Sequence, residues 1–134
     1  MRLLLAVVVF GLLSACSIGI EKDRNTYPTI VFEVAGNYQA IYRLTDRFAR
    51  ECHQGNGWTG SAFIISGNLY QDIHAAELVI DPKGGWGREV ARVDIVQAGE
   101  QVKVTAKVWG KGIWDQRELN ALRSSLTSGQ ISCR

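Results

Sequence analysis

Two stretches of this chain alternate apolar and polar residues one for one, the pattern of a half-buried β-strand. In residues 90–97, Ala91, Val93 and Ile95 fall on one side and Arg92 and Asp94 on the other. In 102–108, Val102, Val104, Ala106 and Val108 face one way and Lys103, Thr105 and Lys107 the other. Ala98-Gly99-Glu100 between them is a tight connection, so the two read as a hairpin. Such strands make a sheet with one dry face and one wet face. The dry face needs a cover, and that need governs the rest of the fold.

The cover is present in the sequence. Ile41, Leu44, Phe48 and Cys52 recur at spacings of three and four, one face of a helix over 38–52, which Asn37 can cap. Its opposite side carries Arg43, Arg47 and Arg50, with Asp46 and Glu51 close enough in sequence to pair with them. A second helix opens at Asp115, with Glu118 at the spacing of a capping box and Trp114 and Leu119 placed as a hydrophobic staple. Leu119, Leu122 and Leu126 form its apolar stripe, and Gly129 suits its stop. Ile30, Phe32 and Val34 alternate as a first strand, and 62–70 and 73–81 read as two more, with a turn at 70–72. The order is β-α-β-β-β-β-α. The expected fold is α+β: a two-layer sandwich, an antiparallel sheet of about five strands with two helices on one face.

One domain is what 134 residues allow, and 46% apolar composition supplies its core. The formal charge of +2 is small and not gathered into a block, which gives no reason to expect a nucleic-acid partner.

Before the domain, Met1-Arg2 is followed by an unbroken apolar run from Leu3 to Leu13. As a helix it would span about 16 Å, against about 20 residues needed to cross a bilayer. It fits the apolar region of a secretory signal. Leu13-Ser14-Ala15-Cys16 then resembles the lipobox of bacterial lipoproteins, as in the small lipoproteins of Gram-negative bacteria. The resemblance covers the leader and cleavage site alone. It implies removal of 1–15, a diacylglyceryl thioether on Cys16 and acylation of the new amino end. The domain organisation expected is a cleaved signal peptide (1–15), a lipidated tether (16–27) and a single α+β domain (28–134) facing the periplasm. The alternative is a plain secretory signal with an incidental cysteine. Ser17, where an aspartate resembles an inner-membrane retention signal, favours the outer membrane. With Cys16 given to lipid, Cys52 and Cys133 remain, and an even pair in an oxidising compartment reads as a disulfide. Two reduced, buried thiols are the other reading.

Little here asks for chemistry. His53 adjoins Cys52, but no second ligand stands at metal spacing, so neither a metal nor a cofactor is expected. Gly84-Gly85-Trp86-Gly87 lacks the Lys-Ser/Thr of a phosphate loop and joins strands. A hydrolase would need His53 or His74 within hydrogen-bond reach of a serine or carboxylate. Trp58, Trp86 and Trp109, in or beside glycine-rich segments, are the candidate contacts for a partner or glycan; covering the core edge is their other use. The expected function is a non-catalytic interaction or assembly-accessory lipoprotein of the cell envelope. Its partners are the membrane lipid through Cys16 and an envelope protein. A binder of a small ligand or glycan through the tryptophans is the alternative.

Overall fold

A computed structural model describes residues 19–20, 27–54, 62–84 and 88–134. The elements follow the order read from the sequence: β1 (Thr29–Ala35), α1 (Tyr38–His53), β2 (Phe63–Tyr70), β3 (Ala75–Pro82), β4 (Ala91–Ala98), β5 (Gln101–Val108) and α2 (Gln116–Ser128). The sheet is antiparallel throughout, in the order β1-β5-β4-β3-β2. Strands β2 to β5 form a meander, and β1 closes the far side by pairing with β5. Helix α1 lies over β2, β3 and β4, and α2 over β1 and β5.

The core lies between the layers, where the alternation placed it. Leu78, Val93, Ile95, Val102, Val104 and Ala106 from the sheet meet Ile41, Phe48, Leu119, Leu122 and Leu126 from the helices, all buried. The β4–β5 hairpin turns through Gly99-Glu100, with Gly99 at φ 64, where a side chain would be strained. The β2–β3 turn is longer than expected: Gln71 to His74 are all outside the strands, and β3 begins at Ala75. His74 adopts a φ of 48 and Ile73 is exposed, although the His74 carbonyl still accepts from the Gln97 N–H of β4.

Both helices are capped as their sequences indicate. Asn37 Oδ1 accepts from the Gln39 N–H, and Asp115 Oδ1 accepts from the Arg117 and Glu118 N–H groups. Gly129, at φ 75, ends α2. Gln97 binds the two layers at the Gly99 end of the sheet. Its Oε1 accepts from the Tyr38 N–H at 2.8 Å, and its Nε2 donates to the carbonyls of Gly36, Gly99 and Gln101. An orphan donor at the start of α1 is thereby satisfied from the hairpin.

Cys52 and Cys133 are joined, with sulfurs 2.05 Å apart and Cα atoms 5.5 Å apart. The bond ties the end of α1 to the tail beyond α2. Ser125 prepares that tail: its hydroxyl donates to Ser132 O and accepts from Ser132 N–H. Residues 1–18, Cys16 among them, and Trp58 and Trp86 lie outside the described residues. Gly19–Ile20 departs from a free tether. Ile20 is buried and its N–H donates to Glu89 O at 2.7 Å. Gly19 lies so close to Arg88 that a Cβ would fall 2.6 Å from that of Arg88.

Candidate functional site

Three features could carry function: a buried polar pair, the open face of the sheet, and the edge strand β2.

The polar pair joins the helices. His53, the last residue of α1, places Nε2 2.5 Å from Oε1 of Glu118 in the first turn of α2. Their side chains are 3% and 5% exposed. Phe48 and Phe63 stand edge-on to the imidazole, and Trp114 lies against it at 4.6 Å between ring centroids. Glu118 was expected to complete a capping box by reaching back to the cap. It turns inward to His53 instead, because it shares the stripe of Leu122 and Ser125, and Asp115 alone caps the helix. Glu118 Oε2 has no hydrogen-bond partner among the described residues.

This pair meets the geometric condition set for a hydrolase, a histidine within reach of a carboxylate. Its surroundings give a substrate no room. The adjoining cavity, lined by Thr45, Phe48, Trp114, Glu118 and Leu122 among others, has a volume of about 20 Å³. That is space for one water molecule. The arrangement suits a polar clasp between two helices. His74 sits in the exposed β2–β3 turn beside the Tyr38 ring, at 5.8 Å.

The open face is a lattice of polar groups with apolar residues between them. Arg92 on β4 reaches Glu77, Glu89 and Asp94. Glu77 also accepts from Asn68 Nδ2 at 3.0 Å and Tyr70 Oη at 2.8 Å. These bonds, that of Tyr70 first and then that of Asn68, hold the Glu77 carboxyl below its ordinary pKa against the opposing effect of burial, with Arg92 adding to the effect. The same bond to Glu77 holds the Tyr70 phenol above its ordinary value. Val31, Ile64 and Val96 stand out from this face, each about half exposed.

The β2 edge is a different surface. Eight residues, Phe-Ile-Ile-Ser-Gly-Asn-Leu-Tyr, contain no charge and no proline. Ala62 O accepts from Lys83 N–H, so the alternate residues Phe63, Ile65, Gly67 and Leu69 turn their N–H and C=O groups away from β3. Ile64, Leu69 and Tyr70 are all at least 40% exposed. Natural edge strands usually carry a lysine, a proline or a bulge that discourages pairing. The opposite edge, β1, has Glu33 within it and Pro28 just before it. Gly67 is fixed by the helix layer, since the Tyr42 hydroxyl occupies the space its Cβ would need.

Of the three tryptophans singled out in the sequence, the structure describes Trp109. It is half-buried against the core, with the Lys111 ammonium 5.5 Å from the centroid of its ring. The arginine side of α1 is a solvated helix face: Arg50 pairs with Asp46 at 2.9 Å and Arg47 with Glu51 at 3.0 Å. Neither the buried pair nor the uncharged edge was foreseen. For the pair, the usable signal was a polar residue on each apolar stripe: His53 four residues after Ala49, and Glu118 four before Leu122. For the edge, it was a strand run free of charge from Ala62 to Tyr70.

Among the described residues, no helix is long and apolar enough to cross a membrane, and no group of three metal-ligating side chains occurs. No protein-family model and no curated protein matches this chain.

Proposed function

We propose that this chain is a lipid-anchored protein of the cell envelope whose domain is a non-catalytic interaction module. Its anchor is the acylated Cys16, and its partner is an envelope protein that adds an extended segment to the sheet at β2. The observation that carries the reading is the uncharged strand β2 at the sheet edge, whose Ile65, Gly67 and Leu69 turn their backbone donors and acceptors away from β3. Backbone pairing supplies affinity in strand addition, and the alternating side chains supply choice of partner. Here those side chains are Ile64 and Tyr70 on the open face and Ile65 and Leu69 on the helix face. The membrane address rests on the lipobox-like Leu13-Ser14-Ala15-Cys16. The Cys52–Cys133 bond agrees with an oxidising compartment.

The test is a photoreactive amino acid at position 64 of the full chain, crosslinked in intact cells. A discrete envelope-protein adduct is expected. It should persist with a photoreactive residue at 66 and disappear in the Ile64→Lys variant, a change at an exposed position that places a charge on the edge. Equal labelling of many proteins, unchanged by Ile64→Lys, would contradict the reading.

A further inference from the structure

The strand register gathers one set of loops at one end of the domain. Thr29 of β1 is opposite Lys107 of β5, Ala91 of β4 is opposite Val108, Ile80 of β3 is opposite Ala91, and Phe63 of β2 is opposite Pro82. The start of β1, the end of β5, the start of β4, the end of β3 and the start of β2 therefore share the Val108 end. Gly19–Ile20 docks there too, through Ile20 N–H to Glu89 O. The opposite, Gly99 end holds the Gly36-Asn37 turn, the Gln71 to His74 turn and the β4–β5 hairpin.

The two ends differ in chemistry. The described loops at the Val108 end bring Lys83, Arg88 and Lys111 against the acidic Glu89 and Asp115, along with Trp109 and Ile113. Arg134 lies at the same end, where it pairs with Asp115 at 3.2 Å. The loops at the Gly99 end bring Asp72 and Glu100 and no lysine or arginine. The segment from Trp109 to Ile113 is itself amphipathic. Trp109 is anchored by its N–H to Val90 O, Lys111 lies over the indole, and Ile113 is left 43% exposed. Gly110 lets this segment turn closely past Pro28, which a Cβ would meet at 3.0 Å. An indole, an ammonium and an exposed aliphatic side chain together suit the headgroup region of a bilayer.

We infer that the Val108 end, with Trp109, Lys111 and Ile113 at its tip, rests on a lipid surface bearing anionic headgroups. This deepens the proposed function and rests on its anchored reading. The argument is one of reach and charge. Cys16 precedes the docked Gly19 by three residues, a span of at most about 10 Å when fully extended. An acyl chain on Cys16 therefore holds this end, and no other, against the membrane. Lys83, Arg88, Lys111 and Arg134 outnumber Glu89 and Asp115 there, an excess that favours an anionic surface, whereas Asp72 and Glu100 at the opposite end would be repelled by it. The domain then stands on the bilayer with its β4–β5 hairpin farthest from it. The β2 edge runs from the membrane outward, open to a partner.

The orientation is read with the full lipidated chain in vesicles of phosphatidylethanolamine and phosphatidylglycerol. Single cysteines are introduced as Ile113→Cys or Glu100→Cys and given an environment-sensitive fluorophore. A nitroxide carried at the lipid headgroup should quench the label at 113 several-fold more than the label at 100. Lys111→Glu in the Ile113→Cys background should reduce that quenching while the protein still floats with the vesicles. Floating protein with equal quenching at both positions, or with stronger quenching at 100, overturns the orientation and leaves the anchor intact. Wild-type chain that fails to float overturns the anchored reading beneath it.

Discussion

Single side chains in this protein do their work by satisfying one another across the layers. His53 and Glu118 are the clearest case, since Glu118, whose Oε2 has no partner among the described residues, would be a buried carboxyl left uncompensated without His53. Replacing either with alanine is expected to lower stability by about 3 kcal/mol, as for other buried pairs deprived of one partner. The double variant should lose markedly less than the sum, and urea unfolding of the four proteins in the cycle measures the difference. Glu77 gives a pH signature on the opposite face. Its carboxyl titrates below the ordinary value in the fold, chiefly through the bonds from Tyr70 and Asn68. A depressed carboxyl contributes stability that is fully present above its unfolded pKa and is lost as pH falls through the folded one. Acid should therefore loosen this face only below the usual carboxylate range. Tyr70→Phe should move the Glu77 titration upward, as followed by NMR.

At the scale of elements, strands and helices were legible because each has a period that the apolar residues keep. Val93 and Ile95 kept the period of two, and Leu119, Leu122 and Leu126 the helical one, so burial follows the sequence closely. Where two local rules competed for one residue, the sequence was ambiguous. Glu118 fits a capping box and also falls on the buried stripe of α2. Only the presence of His53, 65 residues away in the chain, decides between them. The turn before β3 was ambiguous for a similar reason: Ile73 looks like strand, but the turn runs on through His74 with its positive φ, and β3 starts two residues later at Ala75. The β2 edge could not be recognised as an edge without the strand order, because an uncharged apolar run also suits a strand at the centre of a sheet. Packing of α1 over that strand depends on Gly67. Gly67→Ala should push the Tyr42 ring end aside, with an altered near-ultraviolet circular dichroism spectrum as the local readout and little loss in thermal midpoint, since that ring end can swing away.

For the molecule as a whole, the covalent clasp and the proposed lipid anchor act on different equilibria. The Cys52–Cys133 bond spans 81 residues, and removing it by serine substitution at both positions should lower stability by about 4 kcal/mol on the chain-entropy model. Chemical denaturation of oxidised and substituted protein measures this directly. The anchor we propose would fix where the folded domain sits. Acyl chains contribute about 0.8 kcal/mol per buried CH₂, and two or more chains hold a water-soluble body at a bilayer without a spanning helix. On the proposed reading, the docked Gly19–Ile20 joins address to orientation, and the β2 edge is the surface offered to other envelope components. All of this depends on the chemistry at Cys16, and a mass spectrum of the amino-terminal peptide from membrane-extracted protein tests it most directly. The account predicts a peptide beginning at Cys16 with the mass of a diacylglyceryl group and an added acyl chain. A peptide beginning at Met1, with Cys16 carrying no lipid, would contradict it.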